Sequence, residues 1–206
     1  MNRKGLLVVI SGFAGAGKGT VIGKLTEQYE GYSLSISATS RSPRPGEKEG
    51  VNYFFKSRAE FEKMIANNEL LEYAEYVSNY YGTPRAFVEK ELASGRNVLL
   101  EIEIQGAMQI KKAFPHAVLI FILPPSAEEL KRRLTGRGTE TEDVIISRMK
   151  RAVEESQGIE EYDYIVVNGS SDKCAEELHG IINAAAHTPE RNSAFIERIR
   201  RELKEQ

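Results

Sequence analysis

The 206-residue chain has room for one sizeable core with small inserted units, and its 41% hydrophobic and 28% charged content is that of a soluble folded protein. A net charge of −2 provides no overall basic field for nucleic acid or a membrane surface, so any anion site has to be assembled locally from arginines and backbone N–H groups. A single cysteine, Cys174, excludes an internal disulfide framework or cysteine metal cluster, and the first apolar run, Leu6–Ile10, is too short for a signal-peptide core or a membrane span, so a cytoplasmic protein is expected.

Leu6–Ser11 is a continuous apolar run, as expected of a parallel strand buried on both faces. A glycine loop follows, and Lys18–Tyr29 then carries Val21, Ile22, Leu25 and Tyr29 at helical spacing. The segment from about 36 to 85 has a different rhythm. It holds a Pro/Arg/Gly loop (Ser40–Gly50), a short strand (Tyr53–Phe55), a capping box at Ser57–Glu60 that opens a helix to about Asn68, and alternating residues through Val77. Further strands are predicted at Asn97–Ile102, Ala117–Leu123 and Tyr164–Val167, with helical patterns between them. Ser126–Glu129 reads as a second capping box, with Leu130 and Leu134 on one face of the helix it opens. Ile145, Met149, Ala152 and Val153 form one apolar stripe, and Cys174, Leu178, Ile181 and Ile182 another. Residues 188–206 keep Ile196, Ile199 and Leu203 in register, which predicts a terminal helix. Alternating strands and helices imply an α/β fold with a mostly parallel sheet, formed by residues 1–35 and 86–206, and 36–85 reads as a small mixed α+β insertion.

Gly12-Phe13-Ala14-Gly15-Ala16-Gly17-Lys18-Gly19-Thr20 nearly matches the phosphate-loop pattern G-x-x-x-x-G-K-[S/T]. Glycines let the backbone curl so that successive N–H groups face phosphate oxygens, the following helix adds its positive end, and Lys18 adds a full charge. The strand before and the helix after supply the context that separates such a loop from an ordinary glycine turn. Gly19 stands where the magnesium-binding hydroxyl is expected, and Thr20 comes one residue late.

Ser37-Ala-Thr-Ser-Arg41-Ser-Pro-Arg44-Pro-Gly46 places two arginines in a proline-stiffened loop, where their guanidinium forks suit a phosphate monoester. Taken alone, the pair has a second, less favoured reading as solvated surface arginines. Arg133 and Arg137 flank the Gly136-Arg-Gly138 break and Arg148 follows on the next helix. Three arginines on a glycine-hinged segment suit a lid that closes over phosphates, although a basic helix end would look the same. Tyr53, Glu72 and Tyr81 lie in the insertion, and each taken singly reads as structural.

Together these stretches resemble guanylate kinases from about Leu6 to Ala185. The resemblance is carried by the phosphate loop, SATSRSPRPGE (37–47), GVNYFF (50–55), NNELLEYAEY (67–76), NYYGTP (79–84), LLEIEIQGA (99–107), LPPS (123–126), RRLTGRGTET (132–141) and VVN (166–168). It implies a P-loop NTPase core, the insertion as a GMP-binding subdomain and a helical lid over about 127–157. It also implies ATP and GMP as ligands, with dGMP as a further acceptor, Mg2+ as cofactor, a role in GTP and dGTP precursor supply, no nucleic-acid or membrane partner, and room for a homo-oligomer. On the matching positions it assigns Ser37, Arg41, Arg44, Tyr53, Glu72, Tyr81, Gly82, Thr83, Glu103 and Arg148 to the GMP site. Arg41, Arg44, Tyr53 and Tyr81 would hold the monophosphate, and Ser37 and Glu72 would read guanine. It assigns residues 12–20, Arg137 and Asn168 to ATP. Lys18, Arg44, Arg133, Arg137 and Arg148 would be the catalytic cations, and Thr20 and Glu101 the metal-side residues, Glu101 through water. Departures from the family pattern are Phe13 and Ala14 in place of Pro-Ser, Glu103 in place of Asp, and Ile104 in place of Trp.

The chemistry agrees with this resemblance. Guanine presents N1–H and an amino group on one edge, both of which one carboxylate can accept, whereas adenine offers an acceptor at N1. Two rival readings are an inactive binding module of the same fold and a kinase for another monophosphate. The first is expected to lack the loop lysine or the lid arginines, which this chain has. His116, His179 and His187 lie outside every motif, and Cys174 fits the apolar face of its helix.

Overall fold

A computed structural model describes residues 4–76, 78–136 and 141–205. Its centre is the apolar run near the N-terminus, which forms β1 (Leu7–Gly12) with Val8, Val9 and Ile10 wholly buried. β1 lies between β7 (Asn97–Glu101) and β8 (Val118–Leu123) in a five-stranded parallel sheet. β2 (Tyr32–Leu34) forms one edge beside β7, and β9 (Tyr164–Val167) the other beside β8. Strands buried on both faces need helices on both sides. α1 (Lys18–Gln28) packs against α7 (Ser171–Ala186), while α3 (Arg85–Ala93) packs on β7 and α4 (Ile104–Ala113) on β1. α5 (Ala127–Thr135) and α6 (Glu142–Ser156) pack on each other, and α8 (Ser193–Lys204) ends the described chain.

The insertion builds a second sheet in the order β4-β3-β6-β5, from β3 (Ala38–Thr39), β4 (Phe54–Phe55), β5 (Leu70–Tyr76) and β6 (Asn79–Pro84). Its own small core is Ala38, Phe61 and Leu70, with Phe61 supplied by α2 (Arg58–Ala66). α2 starts with the expected reciprocal capping box, in which the Ser57 hydroxyl accepts from the Glu60 N–H and the Glu60 carboxylate accepts from the Ser57 N–H.

Three sequence expectations need correction. At α5 only half of the capping box forms: Ser126 accepts from the Glu129 N–H, but the Glu129 carboxylate turns to Arg132 and Arg133, because two guanidinium groups outcompete one amide. Val153 is 66% exposed and leaves the apolar stripe of α6 to Ile145, Met149 and Ala152. The short strand of the insertion is Phe54–Phe55, and β2, β3 and β6 were not predicted, being too short or too rich in glycine and proline to carry an alternating pattern. Cys174 is buried as expected, and among the described residues no helix is long and apolar enough to cross a membrane.

Candidate active site

The phosphate loop runs from the end of β1 into α1. Gly17 is the N-cap of α1, with a left-handed φ of 91°, and no side chain caps the helix. The first backbone N–H groups of α1 are therefore left for an anion, at the end where the helix dipole is positive. A Cβ on Gly17 would lie 2.5 Å from the Asn168 Nδ2, so glycine is required both by φ and by space. Asn168 is buried at the end of β9 and donates from Nδ2 to the Ala16 carbonyl at 2.8 Å. Arg133 donates to the same carbonyl at 3.1 Å, to the Asn168 carbonyl at 2.8 Å and to Glu129 at 2.7 Å. A guanidinium has about five N–H donors, so Arg133 braces the loop and still has N–H groups for phosphate.

Lys18 folds back over the loop, donating from Nζ to the Gly12 carbonyl at 2.7 Å and the Phe13 carbonyl at 3.3 Å. Phe13 points away from the ligand side. Its ring is buried edge-on against Phe121 at 5.3 Å, so the departure at this position anchors the loop in the core while the loop backbone keeps its role. Ala14, Gly19 and Thr20 are exposed, Gly15 is partly buried and Ala16 is buried. Glu101 ends β7 in register with Ile10, and its carboxylate lies 3.8 Å from the point a Cβ on Gly19 would occupy. A carboxylate therefore stands beside the first turn of α1. Magnesium typically keeps several waters and takes one or two carboxylates plus phosphate oxygens, and the donor set here fits that mode. Among the described residues no cluster of three or more metal-ligating side chains occurs.

The second group of residues gathers on the inserted sheet. Glu72 is 5% exposed, and its Oε1 accepts from the Thr83 hydroxyl at 2.6 Å across the β5–β6 pair. The pairing register shifts between Leu70 and Tyr73, so that Leu70, Leu71 and Glu72 are all buried in succession, which regular alternation forbids. Burial pushes the Glu72 carboxyl up to about 7, against the pull of Thr83, and the nearby Glu103 charge adds to the rise. A Cβ on Gly106 would lie 2.5 Å from the Glu72 Oε2, so the carboxylate sits against the bare backbone of α4. Gly82 pairs with both Ala38 and Tyr73 in the middle of the sheet.

Beside this carboxylate, Tyr53 and Tyr81 meet edge to face at 6.0 Å, and the Arg41 guanidinium lies 5.4 Å from the Tyr53 ring centre. Burial, helped by Tyr81, holds the Tyr53 phenol protonated above its ordinary range. Arg41 makes a two-pronged pair with Glu47 at 2.9 and 3.0 Å, and Glu47 also accepts from the Arg44 N–H at 2.7 Å. This knot shapes the arginine loop and leaves the Arg44 side chain exposed beside the Glu47 charge. Ser37 is partly buried, and its carbonyl accepts from the Phe54 N–H at 2.9 Å, which fixes the approach to β3.

Glu103, expected at guanine, is ion-paired at 2.6 Å with Arg151 of α6. Arg148 is half-buried on α6, whereas Arg137 lies outside the described residues.

The sequence model of the guanylate kinase family matches residues 4–185 of this chain. The chain belongs to the guanylate kinase family. The guanylate kinase of Caldanaerobacter subterraneus subsp. tengcongensis is 49% identical over 202 residues, which cover 98% of each chain. That of Bacillus anthracis is 54% identical over 182 residues, 88% of this chain and 89% of the relative. The crystal structure of guanylate kinase from Anaplasma phagocytophilum superimposes with a TM-score of 0.77 at 36% identity, covering 92% of this chain and 90% of that one.

Within this member of the family, the sequence alone did not single out Gly106, Arg151 or Glu155. Gly106 lies within LLEIEIQGA (99–107), but its reason, contact with a carboxylate 34 positions earlier, exists only in the fold. Arg151 and Glu155 look like an ordinary i,i+4 pair on a solvated helix.

Proposed function

We propose that this chain transfers the γ-phosphoryl group of ATP to GMP, giving ADP and GDP by direct in-line displacement. The observation that carries this reading is Glu72: a buried carboxylate, oriented by Thr83 on the inserted sheet of a phosphate-loop protein of the guanylate kinase family. A buried charge demands a partner, and the N1–H and amino group of guanine supply two donors to one carboxylate. In this proposal residues 36–85 form the acceptor unit and residues 1–35 and 86–206 the core, with a lid over about 127–157. Arg41, Arg44, Tyr53 and Tyr81 take the GMP phosphate, Thr83 orients Glu72, and Ser37 supports the guanine contact. The loop N–H groups, Lys18 and Asn168 serve ATP. dGMP is a second acceptor, because the proposed reader addresses the base and not the ribose.

The attacking GMP phosphate oxygen is already ionised, so no strong general base is required. Rate enhancement then comes from positioning and from cations that meet charge as it shifts: Lys18, Arg44, Arg133, Arg137 and Arg148. Thr20 and Glu101, the latter through water, would hold Mg2+, which when bound neutralises phosphate charge. The rival reading as an inactive binding module is disfavoured because Lys18 sits on the loop and Arg133 beside it. A coupled ADP-release assay across AMP, GMP, CMP and UMP tests the proposal. GMP should be preferred by orders of magnitude, and comparable rates with a second base would refute it.

A further inference from the structure

Arg151 lies on α6, about one turn beyond Arg148, and belongs to none of the motifs that carry the family resemblance. Its NH2 group donates to Glu103 at 2.6 Å and its Nε to Glu155 at 2.9 Å, so two carboxylates fix the plane of one guanidinium. Glu103 is the N-cap residue of α4, yet its side chain does not cap that helix and turns to α6 instead. Three residues further on is Gly106, against which the Glu72 carboxylate rests. Glu155, on the other side of Arg151, is near enough to Lys18 to feel its charge, although burial is the larger influence and pushes its carboxyl up. Charges thus run from the buried acceptor carboxylate through Glu103, Arg151 and Glu155 towards the phosphate loop. A cleft of about 400 Å³ opens beside Glu103, Gln105, Arg151 and Glu154, so the junction is reachable by solvent and ligand. A carboxylate offers roughly four acceptor positions, and Arg151 takes one oxygen of Glu103, which leaves the other for a donor on the acceptor base.

We infer that Arg151 is a positioning residue for acceptor recognition: it aims the Glu103 carboxylate at the acceptor pocket and so ties the setting of the lid helix, with Arg148 on it, to the guanine site. This rests on the proposal that GMP is the acceptor, and it takes up the expectation from the family resemblance that Glu103 faces its base. The pair is half exposed, with side-chain exposures of 32% and 48%, and such pairs contribute little to stability. Variants at Arg151 therefore fold, and the effect to look for is kinetic.

The test is steady-state kinetics with GMP and ATP for wild type, R151Q, R151K, E103Q and the double variant R151Q/E103Q, with Tm measured alongside. R151Q should raise the KM for GMP about tenfold, lower kcat by less, and leave the KM for ATP within about twofold. R151K, which keeps the charge but not the fork, should fall between R151Q and wild type. In the E103Q background, R151Q should add less than about twofold, because the residue acts through Glu103. An unchanged GMP KM in R151Q, or effects that multiply in the double variant, would overturn the inference and leave Arg151 a surface contact. A wild-type chain that does not phosphorylate GMP would overturn the functional proposal itself, and that is seen before any variant is compared.

Discussion

Gly106→Ala puts the proposed acceptor pocket under the sharpest single-atom stress. The added Cβ would lie 2.5 Å from the Glu72 Oε2 and 3.1 Å from its Cδ, whereas ordinary contact begins near 3.4 Å. The carboxylate has to retreat by about 1 Å, yet Glu72 is 5% exposed and has little free space to enter. The retreat strains or breaks the 2.6 Å bond from Thr83. A displaced carboxylate also loses its charge-assisted hydrogen bonds to the acceptor, each worth roughly 1.5–3 kcal/mol, so kcat/KM for GMP should fall between about 10- and 150-fold. Stability should fall as well, because the strained Thr83 bond costs more than the up to about 1 kcal/mol by which alanine is favoured over glycine in a helix. The assay is initial rate against GMP at saturating ATP, with the KM for ATP and a thermal melt as controls. A variant with a GMP KM within twofold of wild type would show that the Glu72 carboxylate does not read the acceptor from this position.

Lys18→Ala should retain a native circular dichroism spectrum and lose most turnover, since Lys18 lies over the loop carbonyls and would supply the charge at the triphosphate; wild-type kcat/KM in a folded variant would refute that role. The pH behaviour should carry two opposite signatures of Glu72, whose carboxyl is raised from 4.5 to about 7 by burial. A raised folded value means that the stability contributed by the protonated group is fully present below 4.5 and is lost as pH rises through about 7, a change of roughly 3 kcal/mol at most. GMP binding needs the ionised form, so the KM for GMP should drop as pH rises through about 7. The GMP phosphate also titrates, near pH 6, in wild type and variant alike. Glu72→Gln should therefore remove the limb near 7 from both the melt series and the KM profile, and its persistence in the variant would assign it to another group.

The phosphate loop was legible because everything that defines it is local: a buried strand, glycines, a lysine and a helix follow one another within about 20 residues. The parallel core was legible for the same reason, since its strands are uninterrupted apolar runs. The proposed acceptor site was legible only as a resemblance of motifs. Its physics is non-local: Glu72 is turned inward by a register shift against β6, oriented by Thr83 from the neighbouring strand and confined by Gly106 from a helix of the core. Glu103 shows what position alone leaves out, because its partner, Arg151, lies 48 residues away on a helix face that reads as plain solvated surface. Phe13 shows the converse. A departure from the family pattern inside the phosphate loop is a core anchor whose ring packs on Phe121.

The central claim, that one buried carboxylate chooses the acceptor, is tested most directly by initial rates of wild type and Glu72→Gln with GMP and with IMP at saturating ATP. Glutamine keeps the shape but replaces one acceptor oxygen with an NH2 donor, so the match to the two guanine donors is lost. The account predicts that kcat/KM for GMP falls at least about tenfold, roughly 1.4 kcal/mol of transition-state binding, that IMP, which lacks the amino group, loses less, and that the KM for ATP barely moves. Equal losses for GMP and IMP, or no loss for either, would contradict it.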